Sequence, residues 1–132
     1  MTASDIIPAE LVHLLTEPNF GFLGTIRPDD TVQVNPMWFE FDGEHIRFTH
    51  TTKRQKYRNL QHNQSMSLAV VPEGDFYRYL EVRGRLVDVV PDLEGEFYVR
   101  LGRRYGDTEV QPPADRADRV ILVMSVEHAV HN

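Results

Sequence analysis

The chain has 132 residues, 41% of them apolar and 26% charged, with a net charge of −6 and no cysteine. That length suits one domain with its own core, expected over residues 1–132, and the composition is that of a globular protein. Disulfides, thiolate metal sites and thiol catalysis are excluded, and no apolar run reaches the roughly 20 residues needed to cross a bilayer as a helix.

In chain order, MTASDIIPAELVHLL lacks the basic flank of a signal peptide, so a cytoplasmic protein with no membrane partner is expected. SDIIPAELVHLLTEPNFG predicts an N-terminal helix: Pro8 suits a first turn, Leu11, Leu14 and Leu15 form an apolar stripe, and Pro18 ends it. GFLGTI (21–26) predicts a short strand and RPDD (27–30) a turn. TVQVNPMWFEF (31–41) alternates, with Val32, Val34 and Trp38 on one face and Gln33, Asn35, Met37, Phe39 and Phe41 on the other. Asp42-Gly43 marks a hairpin into HIRFTH (45–50). TTKRQKYRNL (51–60) predicts a helix capped by Thr51 or Thr52, turning Tyr57 and Leu60 to the sheet and ending at HNQ (62–64).

SMSLAVV (65–71) predicts the next strand, PEGD (72–75) a turn, and FYRYLEVRGRLVDVV (76–90) a long strand bent or bulged at Gly84. PDLEGEFYVRLGRRYG (91–106) predicts a second sizeable helix, begun by Pro91 and Asp92 and ended by Gly106. A polar loop leads into RVILVMSVEHAV (119–130), a strongly apolar closing strand. About six strands joined mainly by hairpins, with three helices inserted, predict an α+β domain whose antiparallel sheet curls into a barrel.

The charge is uneven. Between Glu44 and Glu73 there is no acid, while Arg47, Lys53, Arg54, Lys56 and Arg58 give this window +5 and leave −11 on the rest of the chain. Duplex binding needs many phosphate contacts, and a field this negative repels a long polyanion everywhere outside one patch. A compact anion fits better, so no nucleic-acid partner is expected. A basic helix start offers free N–H groups, a favourable dipole and Lys/Arg donors, the ingredients of a phosphate or carboxylate site. Thr49, His50, Thr51 and Thr52 add hydroxyl and imidazole donors just before it. The competing reading is a solvated helix face with no partner.

In VQVNPMWF (32–39) the proline implies an edge, bulge or kink, and Gln33 and Asn35 could turn amides towards a planar heteroaromatic ligand. An ordinary kinked strand would look the same, and Trp38 reads as core. Tyr77 and Tyr79 share one face of FYRYLEVRG (76–84), and Phe76, Arg78 and Leu80 the other, a mixture suited to stacking, anion contact or a dimer interface. The six histidines lack metal-ligand spacing, and no GxSxG, P-loop or GxGxxG is present. An enzyme built on this chain would rely on a bound cofactor.

The segments VQVNPMWFEFDGEHIRF, THTTKRQKYRNL and YRYLEVRGRLVDV, at this spacing, resemble the pyridoxamine-phosphate-oxidase-like split β-barrel superfamily. Within it the chain is similar to small oxidoreductases dependent on the deazaflavin coenzyme F420. Lys56-Tyr57-Arg58-Asn59-Leu60 and Tyr77-Arg78-Tyr79-x-Glu81-Val82-Arg83-Gly84 are the more specific elements. The resemblance implies a homodimer with cofactor sites at the interface, and a small-molecule substrate. It places the cofactor phosphate at Thr49, Thr51, Arg54 and Lys56, the ring along Gln33, Val34, Asn35 and Pro36, and ring or tail contacts at Tyr77 and Arg78. Hydride would pass between coenzyme F420 and a small unsaturated or aromatic acceptor, with no catalytic side chain assigned. FMN is the alternative cofactor, and a non-catalytic cofactor-binding protein the alternative role.

Overall fold

The structure, a computed structural model, describes residues 1–132. Eight strands form one curled antiparallel sheet: β1 (Gly21–Ile26), β2 (Val32–Met37), β3 (Glu40–Phe41), β4 (Ile46–Thr51), β5 (Ser65–Val70), β6 (Leu80–Pro91), β7 (Arg119–Met124) and β8 (His128–His131). Their order is β2-β1-β5-β6-β7-β4-β3, with β8 also on β6. Only Trp38 and Phe39 separate β2 from β3 in sequence, yet the two strands end opposite edges of the path. So short a connection requires the sheet to curl until its edges meet, which makes an α+β split β-barrel. No helix is long and apolar enough to cross a membrane.

The barrel encloses one cluster of buried apolar side chains, including Leu23, Phe39, Phe48, Leu68, Leu80 and Leu122. Leu60 of α3 (Gln55–His62) plugs it from one end, with Tyr57 packed beside it as the helix spacing requires. Leu11, Leu14 and Leu15 cover another part of it. The N-terminal helix itself is broken. Pro8 forces Ile7 into extended backbone (φ −91°, ψ 123°), so α1 (Ala3–Ile6), a 3-10 turn at Ala9–Leu11 and α2 (His13–Thr16) replace one continuous helix.

Further elements depart from the sequence-based expectation, the 31–41 segment among them, which breaks at Trp38 and Phe39 into β2 and β3. Residues 76–79 form an exposed turn rather than strand, and β6 begins only at Leu80. Asp75 draws the turn in by accepting the Tyr77 N–H at 3.2 Å. β6 pairs with β5 through its first half and β7 through its second, and its register slips between Leu86 and Asp88, not at Gly84. Gly84 instead permits close approach of the segment after β7, because a Cβ there would sit 1.8 Å from the Ser125 carbonyl oxygen. The C-terminal run bends after Met124 and returns to β6 as a separate strand, β8.

α4 (Glu96–Arg104) starts five residues later than Pro91, which stays in β6 paired with Val120. Asp92 still caps it from outside, accepting the N–H groups of Phe97 and Tyr98 at 3.2 Å each. Arg104, at its other end, donates to the carbonyls of Leu15, Thr16 and Glu17 and so closes the C-terminus of α2.

Candidate functional site

The split between the barrel edges opens into a cleft of about 720 Å³. β2 forms one wall. Asn35 pairs with Leu23 and Gln33 with Thr25, both buried positions of β1, so the polar members of β2 turn inward. Val32 and Val34 consequently lie outside, 62% and 58% exposed. The opposite wall is the end of β4, Thr49 and His50; the first turn of α3 and Arg119 at the start of β7 close the cleft. Phe20, Pro36, Met37 and Trp38 supply an apolar side. Trp38 is half-buried and stacks on Tyr105 at 5.5 Å, so it is a cleft residue and not the core residue its sequence context suggests.

Three cations, Arg54, Lys56 and Arg119, line this cleft and no carboxylate does. Lys56 is only 5% exposed, and its ammonium has a single partner, the Met37 thioether at 3.2 Å. Burial, reinforced by Arg54, lowers its pKa to about 8. His50 is 6% exposed and its pKa falls to about 4, first through burial and then through Lys56, Arg54 and Arg119, so the imidazole is neutral at pH 7. Its Nε2 and the hydroxyl of Thr49 are buried without any hydrogen-bond partner. Buried polar atoms without partners are rare and costly. A cleft lined by a buried ammonium without an anion, and by a hydroxyl and an imidazole nitrogen without partners, suits the several oxygens of a phosphate.

Local structure explains the convergence. Arg54 is the N-cap residue of α3, in extended backbone and with no side-chain cap, so neither Thr51 nor Thr52 fills the expected capping role. The first-turn N–H groups of α3 are thus left for an anion. Arg119 is held by Asp115 at 3.1 Å and lies over the Tyr98 ring at 4.8 Å.

Of the residues singled out in the sequence, Gln33, Asn35, Pro36, Thr49, Arg54 and Lys56 come together here. Val34 points to the outer face, and Thr51 is buried behind the site, accepting the Lys53 N–H at 3.3 Å. Tyr77 and Arg78 lie in the exposed 76–79 turn and do not line the cleft. Arg119 escaped the sequence reading because only the β4–β7 pairing, Thr51 opposite Arg119, brings it near. Phe20, Trp38, Gln55 and the cleft position of His50 were also missed as site residues.

The fold defines the class, a split β-barrel with a cation-lined cleft at its seam. The chain belongs to the pyridoxamine 5'-phosphate oxidase family, whose model matches residues 7–131. A solved structure named F420 reductase is 51% identical to it, with a TM-score of 0.91, covering 94% of this chain and 98% of its own. A conserved hypothetical protein from Mycobacterium tuberculosis is 22% identical with a TM-score of 0.72, covering 98% of this chain and 87% of its own. General Stress Protein 26 from Bacillus anthracis is 15% identical with a TM-score of 0.71, covering 92% and 90%. At those identities the last two bear on the fold alone. No curated protein matches the sequence.

Proposed function

We propose that this protein is a cytoplasmic oxidoreductase that binds coenzyme F420 in the cleft and serves hydride transfer between it and a small unsaturated or aromatic acceptor. The observation that carries the reading is Lys56, a buried ammonium with no anionic partner, in a cleft also lined by two further cations and by two residues with unpartnered polar atoms. The 51% identity to the F420 reductase supports the deazaflavin as the phosphate-bearing ligand.

In this reading Lys56, Arg54 and Thr49, joined by His50 and Arg119, hold the phosphate arm. Gln33, Asn35 and Pro36 flank the ring, and Phe20 and Trp38 form an apolar wall that excludes water from the acceptor. When bound, the reduced coenzyme supplies the hydride. The chain contributes orientation and a dry, positively charged pocket. Tyr77, 86% exposed, and the adjoining Arg78 would reach a cleft belonging to a second copy. Phe22, Val32 and Val34, exposed side by side on the outer face of β1 and β2, supply apolar area for that homodimer.

Titration with coenzyme F420 and, separately, FMN tests the proposal. Coenzyme F420 should bind at micromolar levels, with Arg54→Ala and Arg119→Ala each weakening it about tenfold through loss of a charge-assisted contact. Binding of neither ligand refutes the reading; retention of FMN alone would make this a flavoprotein. Tight binding of F420 without oxidation of its reduced form by enones or quinones would make it a carrier.

A further inference from the structure

A chain of amide hydrogen bonds runs behind the cleft wall, and its direction is set at the Arg58 end. Arg58 Nη1 donates to Gln55 Oε1 at 3.2 Å. A guanidinium can only donate, so Gln55 must present its oxygen to Arg58 and its N–H to the next member. Gln55 Nε2 donates to Asn59 Oδ1 at 2.9 Å. Asn59 Nδ2 spends both hydrogens, on Thr25 Oγ1 at 3.1 Å and Gln33 Oε1 at 2.9 Å. Gln33 Nε2 then donates to Asn35 Oδ1 at 3.0 Å. Gln55, Gln33 and Asn35 all line the cleft, and each has its carbonyl oxygen engaged within the chain. Each of these oxygens already accepts one bond, whereas one N–H of Gln55, one of Gln33 and both of Asn35 have no partner, so the groups turned free in this wall are donors.

We propose that Asn59 and Arg58, neither of which lines the cleft, are positioning residues that set the polarity of this wall so that it offers donors to carbonyl oxygens on the edge of a planar ring. The inference rests on the reading of the cleft as a coenzyme F420 site and deepens it: rings edged by exocyclic carbonyls are accepted and rings edged by amino groups are disfavoured. Asn59 is suited to the task because it is fully buried and has no freedom to re-pair with water. Reversing one amide in such a chain reverses all those beyond it.

Asn59→Asp puts an acceptor-only group at the centre. Its carboxylate takes N–H from Gln55 and Gln33 and O–H from Thr25, so Gln33 turns its oxygen to Asn35, and Asn35 Oδ1 faces the cleft. Two readouts follow, beside urea unfolding to check that the fold is kept. In ligand-free, 15N-labelled protein the Asn35 side-chain N–H signals should move downfield, because they become hydrogen-bonded to Gln33. The dissociation constant for coenzyme F420 should rise about ten- to hundredfold, as a donor is replaced by an opposing lone pair. Arg58→Glu, at an exposed position, provides a second route to the same reversal and the same Asn35 signal shift. Arg58→Lys, which keeps a donor, should restore the wild-type spectrum and affinity. Unmoved Asn35 signals in both Asn59→Asp and Arg58→Glu, or unchanged F420 affinity in a folded Asn59→Asp protein, would overturn the proposal. Shifted signals in a protein whose wild type binds no F420 would support the polarity chain and refute the coenzyme reading instead.

Discussion

Lys56→Met separates the cost of the site from its use. The substitution keeps an unbranched stem beside Met37 and deletes an ammonium that is 5% exposed with only a thioether for company. Replacing an unpaired buried charge by an apolar group of similar shape should stabilise the ligand-free protein by about 1–3 kcal/mol. For a chain of this length that raises Tm by roughly 3–10 °C. The pH dependence identifies the cause. Lys56 titrates near 8 in the fold, lowered by burial and then Arg54, against 10.5 unfolded. Below about 8 the folded state bears the whole cost of a desolvated charge; between 8 and 10.5 it sheds the proton and the cost disappears. Thermal melts of the two proteins should therefore differ most at neutral pH and converge through that window. The same variant should bind coenzyme F420 about ten- to hundredfold more weakly, having lost a charge-assisted contact. A variant that melts below wild type at neutral pH, or a gap that persists at high pH, refutes the account of Lys56 as an ammonium awaiting an anion.

The other expectations concern the cleft wall and the barrel. His50 stays neutral in the fold down to about 4, whereas its unfolded pKa is 6.5. The unfolded chain alone takes up this proton as pH falls through that window, so stability drops there, and urea midpoints of His50→Gln should show a flatter acid limb. Arg54→Ala removes one of the charges facing His50 and should raise its pKa above about 4, read from the imidazole resonances. Gly84→Ala would drive a Cβ into the Ser125 carbonyl. It should cost about 3 kcal/mol or more in urea unfolding, well beyond an ordinary glycine substitution in a strand.

Local pattern made much of this molecule legible. Alternation over residues 31–41 marked β2 and its two faces, though not the break before β3; Asp42-Gly43 marked the turn into β4, and the Tyr57–Leu60 spacing the buried side of α3. The cationic cleft was legible for a related reason, since Thr49, Arg54 and Lys56 lie within one strand-to-helix junction. Failures occurred where distant contacts decide. Aromatic-rich 76–79 reads as strand but has no partner strand, and Asp75 folds it into a turn. Trp38 reads as core, yet the chain crosses the barrel seam at that point and leaves its ring on the cleft. Arg119 carries no local mark, because its role depends on pairing with a strand almost seventy positions away in the chain.

β2 pairs only with β1, and β4 meets the two-residue β3 only at Ile46 and Arg47, so the upper half of β4 has a neighbour on one side alone. Both walls of the cleft are therefore strand edges whose outward amides lack a ladder partner. In hydrogen exchange these amides should be poorly protected, while those of residues 67–70 in β5 and 80–83 in β6, flanked by strands on both sides, exchange slowly. A ligand seated in the seam stands where the missing ladder would be. Occupancy should then slow exchange along β2 and the end of β4 together, as though the barrel had acquired another strand.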